Sequence, residues 1–173
     1  MEKKSPQEIL VRRAQPEDAF QMHHVHVTSV QTLCASDYTA EQIEAWVGKL
    51  DPQKRRQYMT QGSHSEIFFV AEDKLGVIVG FSSLGINEVN AVYVHPHYTQ
   101  MGVGTLLLNA VETEALAQNM KKLKLSASIT AVPFYQARGY QAIERSFHTL
   151  HSGVEIPCVF MEKSLESGVD PCY

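Results

Sequence analysis

The stretch from Ala91 to Leu108, AVYVHPHYTQMGVGTLLL, constrains the fold more than any other part of the chain. An alternating apolar run ends at His95-Pro96. A short polar loop follows, and Gly102-Val103-Gly104 then leads into a helical pattern. Strand, glycine-rich turn and helix start, in that order, make an anion-binding device. The N–H groups of a helix's first turn have no partner within the helix, and the helix dipole there favours negative charge. Gly102 and Gly104 carry no Cβ, so the backbone can come close to a ligand. The turn is the expected seat of a coenzyme's pyrophosphate.

The 173 residues suffice for one domain with a real core and are few for two. A formal charge of −4 argues against bulk nucleic-acid binding, which draws on a basic face. No apolar run approaches the roughly 20 residues of a membrane span, and MEKKSPQEIL lacks the apolar stretch of a signal peptide. Cys34, Cys158 and Cys172 are odd in number and far apart, which suits a reducing cytoplasm better than a disulfide framework. The expected location is cytoplasmic.

The rest of the chain supplies a frame around the turn. Glu8 to Ala14 has the branched residues of a strand, and Pro16-Glu17-Asp18 opens a helix running to about Ala35. Thr39 caps a second helix with Gln42 completing a capping box, and Asp51-Pro52 restarts a helical turn through Lys54, Arg55, Arg56 and Tyr58 that ends at Gln61-Gly62-Ser63. Glu66–Glu72, Val77–Leu84 and Glu88–Val94 are three successive strands leading into the turn. After it, Val103, Leu106, Leu107, Ala110 and Val111 recur at helical spacing. Lys122–Ala127 alternates as a strand, and residues 131–138 form a short helix closed by Gly139. Tyr140–Leu150 and Val154–Lys163 are two closing strands. The order β-α-α-β-β-β-α-β-α-β-β predicts an α/β domain over 8–164, an α+β mixed sheet with helices on its faces. Residues 1–7 and 165–173 are expected to be flexible ends.

Three segments together resemble the GCN5-related N-acetyltransferases: Val92-Tyr93-Val94-His95-Pro96, Gln100-Met101-Gly102-Val103-Gly104, and Phe134-Tyr135-Gln136-Ala137-Arg138-Gly139-Tyr140. Val11-Arg12-Arg13-Ala14 followed by Pro16-Glu17-Asp18 fits that family's first strand and helix. Ala35–Tyr38, Ile43–Trp46 and Pro157–Lys163 resemble a bacterial, YafP-like subgroup. The glycine pair alone is weak, since Leu107 stands where a dinucleotide fingerprint has its third glycine. Its conjunction with the FYxxxGY segment, about thirty residues on, gives the specificity. Two positions depart from the family pattern: Thr99 where Gln or Arg is usual, and Ser128 in place of Asn.

The resemblance implies direct acetyl transfer from acetyl-CoA to a primary amine, with no metal and no covalent acyl-enzyme. It implies that Val92, Tyr93 and Val94 hold the pantetheine arm by their backbone, one N–H polarising the acetyl carbonyl. Gln100, Met101, Gly102, Val103, Gly104 and Thr105 would hold the pyrophosphate. Tyr135 would protonate the departing thiolate, or simply pack on the coenzyme arm. Glu88 is the first choice of general base. Period two puts it on one face with Asn90, Val92 and Val94, although a solvated carboxylate fits the pattern equally. Tyr93, His95 or a water relay are its alternatives. The first two helices would flank the acceptor, making His26 and Tyr38 candidate contacts. His23, His24 and His26 lack a third ligand for a metal. Cys34 or Cys158 as an acyl carrier is a minor variant. The partners expected are acetyl-CoA and an amine of small molecule, peptide or protein, with neither nucleic acid nor membrane. Monomer and homodimer both remain open. A regulatory module that binds acyl-CoA without catalysis is the alternative from another class. The overall acidity favours, weakly, a cationic acceptor.

Overall fold

The computed structural model describes residues 8–62 and 65–165. Four strands, β1 (Leu10–Arg13), β2 (Ile67–Glu72), β3 (Ile78–Leu84) and β4 (Val89–Val94), form one antiparallel sheet in that order. Three more, β5 (Lys122–Ser128), β6 (Gln141–Thr149) and β7 (Glu155–Ser164), form a second in the order β5-β7-β6. The mixed character lies where the sheets meet. A single parallel bridge, Glu88 to Lys124, joins them, with Lys124 N–H donating to Asn87 C=O at 2.9 Å. Beyond that bridge no ladder joins β4 to β5.

Among the described residues five α-helices cover the sheets: α1 (Ala19–Leu33), α2 (Ala40–Gly48), α3 (Pro52–Gln61), α4 (Val103–Ala117) and α5 (Val132–Gln136). The helical stretch that restarts at Asp51-Pro52 forms a separate helix, α3, and ends at Gln61 as read. Asp51 caps a ten-residue helix by accepting from Gln53 and Lys54 N–H at 2.9 and 3.1 Å. The capping box of α2 forms as read, with Thr39 Oγ1 and Gln42 exchanging hydrogen bonds. Pro16-Glu17-Asp18 makes a 3-10 turn ahead of α1. Arg12 donates twice to Asp18 and once to Glu72, locking β1, that turn and β2 together. Burial works against the Asp18 charge, but the Arg12 bonds outweigh it and hold its carboxyl below the usual range.

The main core lies between the sheets and α4, which sends in Val103, Leu107, Leu108, Val111 and Ala115. Leu165, assigned by sequence to the tail, is buried in that core and donates to Lys121 C=O at 2.9 Å. The other anticipated terminal segments, 1–7 and 166–173, lie outside the described residues. A second cluster packs α1 against β2 and β3 through Met22, Val25, Val70, Ile78 and Phe81. A third joins Val30, Cys34 and Tyr38 to Leu150 and Ile156 near the closing strands.

Tyr38 ties this third cluster together. Its buried hydroxyl accepts from Ile129 N–H at 2.8 Å and donates to Pro157 C=O at 2.6 Å. Desolvation pushes the phenol up to about 12, so it stays a donor. Tyr38→Phe strands both backbone groups. It should cost about 1–3 kcal/mol, read as a lowered midpoint in urea with an unchanged slope.

Candidate active site

The gap between β4 and β5 starts from a β-bulge. Ser83 faces Ala91 while Leu84 faces Val89, so Asn90 is the extra residue. The bulge resets the side-chain alternation. Val89 joins the core that Val92 and Val94 pack against, whereas strict period two would have put Asn90 there. Glu88 is therefore not in phase with Val92. It is exposed, engaged in the bridge to Lys124, and lines neither cavity of the gap. Past the bulge, the edge of β4 facing β5 carries no ladder pairing among the described residues.

Two cavities open from this gap. One of about 350 Å³ lies beside the glycine turn, lined by Val92, Tyr93, Val94, Gln100, Gly102, Gly104, Thr105, Phe134 and Arg138 among others. The other, of about 150 Å³, lies on the far side, walled by Tyr38, Trp46, Lys49, Asn90, His148 and Cys158 among others. Val92, Tyr93, Ser128, Ala131 and Tyr135 line both. These five mark where the cavities meet.

The turn-side cavity ends at the start of α4. Gly102, the residue before the helix, has φ +82° and open space where a Cβ would point. Gln100 also takes a positive φ, +60°. No acceptor among the described residues takes the N–H of Val103, Gly104 or Thr105. Gly104, which lines the cavity, has a further reason beside the one read in the sequence. A Cβ there would lie 2.9 Å from the Phe134 ring, so its smallness seats α5 on α4. Val103 turns its side chain into the core and Met101 is partly exposed, so neither side chain lines the cavity. Thr99 donates to Pro96 C=O at 2.9 Å and closes the loop on itself.

Arg138 is the residue that sequence reading missed. Its guanidinium lies 3.9 Å from the Phe134 ring centroid and donates to Phe134 C=O and Thr105 Oγ1 at 2.9 Å each. That puts a fixed cation beside the open N-terminus of α4. The signal was present: Arg138 follows Tyr135 by three residues in a motif already singled out.

Tyr135 sits at the junction with little freedom. Phe134 and Tyr140 meet its ring edge-on at 5.1 and 5.6 Å, and its C=O accepts from Arg138 and Tyr140 N–H. Tyr140 is fixed in turn by donating to Glu112 at 3.0 Å, a carboxylate also held by Lys163. The Tyr135 hydroxyl makes no hydrogen bond with any described residue. Burial, and then Tyr93, raise its pKa, so it is protonated throughout the neutral range.

These features match known proteins. A model of the acetyltransferase (GNAT) domain fits residues 34–165. A GCN5-related N-acetyltransferase from Rhodopseudomonas palustris, described as aminotransferase, class-II, is 34% identical. It superposes with a TM-score of 0.82 over 90% of this chain and 94% of its own. The chain belongs to the GNAT acetyltransferase family. Membership makes it an acyltransferase. The uncharacterized N-acetyltransferase YafP of Escherichia coli K12 is 27% identical over 79% of this chain and 84% of its own. Two more distant structures share the fold. PaiA N-acetyltransferase from Thermoplasma acidophilum, in complex with coenzyme A, is 23% identical with a TM-score of 0.74, covering 91% of this chain and 99% of its own. YncA from Salmonella typhimurium, with its cofactor acetyl-CoA, is 18% identical with a TM-score of 0.70, covering 95% and 98%.

Within this GNAT domain the two acceptor-side candidates part company. Tyr38 lines the far cavity, although its hydroxyl is committed to the backbone. His26 lines neither cavity and is buried. Its ring packs 3.9 Å from that of Tyr93, and Arg55 Nη2 donates to its Nδ1 at 3.1 Å. His95, the alternative base, also lies outside both cavities. The buried thiols of Cys34 and Cys158 stand on opposite sides of the gap, Cys34 on the turn side and Cys158 on the far side. Burial raises the pKa of Cys34, which disfavours the thiolate an acyl carrier needs.

Desolvation, followed by the nearby Arg55 charge, lowers the His26 pKa to about 3. The unfolded chain would take up a proton near pH 6.5 that the folded chain refuses. His26 therefore removes stability as pH falls from about 6.5 towards 3, with a limiting slope near 1.4 kcal/mol per pH unit. His26→Gln should flatten that part of the stability profile, measured by urea unfolding between pH 4.5 and 7.

Proposed function

We propose that this acyltransferase moves an acetyl group from acetyl-CoA directly to a primary amine. The observation that carries the reading is the Tyr135 hydroxyl, unpartnered and lining both cavities at their junction. Coenzyme A and acetyl-CoA in the complexes of PaiA and YncA support the choice of donor. The turn-side cavity would take the coenzyme. Its pyrophosphate would lie at Gln100–Thr105 with Arg138 supplying the side-chain cation that Thr99 does not. The pantetheine arm would pair with the free edge of β4 at Val92–Val94, in the manner of an added strand. The far cavity would take the amine.

In this reading the amine nitrogen attacks the thioester carbonyl carbon, and an N–H on the β4 edge takes the oxyanion charge. The C–S bond then breaks. Tyr135 gives its O–H proton, or a strong hydrogen bond, to the coenzyme thiolate and recovers the proton from solvent. Its raised pKa does not forbid this, because the desolvation that opposes phenolate also opposes a bare thiolate beside it. The amine's proton leaves through the far cavity. His148 is the imidazole in that wall, and it replaces Glu88 as the base we assign, directly or through water.

Release of coenzyme A, followed with a thiol reagent across a panel of amines, tests the reaction. Tyr135→Phe should lower kcat about 100-fold while acetyl-CoA still raises the melting temperature. His148→Gln should lower kcat with a changed pH profile, and Glu88→Gln should leave it within about twofold. Acetyl-CoA at a hundredfold excess over its dissociation constant should stabilise the fold by about 2.7 kcal/mol. Stabilisation without turnover on any amine would favour the regulatory module instead.

A further inference from the structure

The far cavity has a charge character that acetyl transfer by itself does not require. Neither Asp nor Glu lines it, and neither lines the turn-side cavity. Its ammonium is Lys49, which caps the C-terminus of α2. No described side chain hydrogen-bonds or ion-pairs with that ammonium. Lys49 is exposed at the mouth of the cavity, some desolvation by the wall lowers its pKa, and no nearby acid raises it.

A second cation backs the same wall. Ala91 and Tyr93 separate the cavity from the cluster that holds Phe81, and the Arg55 guanidinium lies 4.9 Å from the Phe81 ring centroid. Arg55 donates to His26, while its Nη1 is buried without a partner. The carboxylate that answers Arg55 is Glu66, and it is already engaged by Asn90 Nδ2 at 3.0 Å. Glu66 thus acts on Arg55 alone of the two cations, and His26 is neutral at ordinary pH. Lys49 is left without a counter-charge.

An unpaired ammonium at a cavity wall that holds no acid favours an anionic group over a cationic one. We propose that the acceptor carries a carboxylate beside its amine, as a free amino acid does, and that Lys49 holds that carboxylate. The amine would then face the junction at Tyr135 and Tyr93. A polyamine, or any acceptor with a second ammonium, would set like charge against Lys49 in a cavity without a carboxylate. The volume of about 150 Å³ suits a small molecule, being the share of about five waters. This inference rests on the acetyl-transfer reading for the orientation of the amine, but the carboxylate contact can be tested by itself.

Matched sets built on alanine, leucine and phenylalanine serve as probes: the free amino acid, its primary amide, and the amine lacking the carboxyl group. Each is titrated calorimetrically into the protein saturated with coenzyme A, and each is assayed for thiol release with acetyl-CoA. At least one free amino acid should bind tenfold or more tightly than its amide and amine. Lys49→Ala should abolish that preference, Lys49→Arg should keep it, and Lys49→Glu should turn it towards the amine. The acetyl-CoA thermal shift should be unchanged in all three variants, which shows that they fold. Equal or better binding of the amides or amines, no binding of any free amino acid, or a preference that survives Lys49→Ala would overturn the proposal. Preferential binding of amino acids without thiol release would support Lys49 and count against acetyl transfer. Thiol release confined to amines without a carboxylate would do the reverse.

Discussion

One parallel bridge, between Glu88 and Lys124, sets the geometry on which the site depends. Had β4 and β5 continued to pair, the two sheets would be one and no backbone edge would be free. They part because Asn90 is inserted opposite the Ser83–Leu84 step, which bends β4 and raises its local twist. An interior edge with unpaired N–H and C=O groups is ordinarily a liability. Here it opens onto two cavities, so a ligand with its own amide groups can complete the ladder.

An open gap in a sheet needs to be held open, and the chain does this with buried hydrogen bonds and a close helix contact. Tyr38 bridges the backbone after β5 to the backbone of β7 from a position between α1 and α2. On the other side, Gly104 lets Phe134 lie against α4, which brings Tyr135 to the junction and Arg138 to the glycine turn. Ser128 serves both sides. Its Oγ accepts from Ala131 N–H at 3.2 Å, capping the turn into α5, while the residue lines both cavities. The side chains of the site are thus fixed by groups whose own positions are fixed, which is what preorganised catalysis requires.

The sequence was most informative where local chemistry determines structure. Strand β4, the start of α4 after the glycine turn and the capping box at Thr39 each depend on a few consecutive residues, and each forms as read. Glu88 lies out of phase with Val92 for a reason no periodicity could reveal. A bulge is a relation between two strands, and neither strand's pattern alone announces it. Lys49 and His148 were invisible for a similar reason. They lie at the end of α2 and on β6, and only packing brings them to one gap. His26 matched a helical face correctly. Its burial under Arg55 and Tyr93, which takes it out of both cavities, depends on how α3 packs against α1, and no local pattern gives that.

Net charge, like periodicity, says little about one local site. The chain carries 19 acidic and 15 basic residues, which favours cationic partners if the charges are spread evenly. They are not. Several acids are bound into the frame: Asp18 and Glu72 by Arg12, Glu114 by Arg13, Glu162 by Lys122, and Glu112 by Lys163 and Tyr140. The two cavities retain Arg138 on one side and Lys49 on the other, with no carboxylate in either wall. Charge inside a cleft acts through a lower effective dielectric and shorter distances than charge on the outer surface, so the local sign governs what binds. A chain that is acidic as a whole therefore presents a cationic gap. On the proposed reading, the same distribution would suit a coenzyme's phosphates at one end and disfavour a polycationic acceptor at the other.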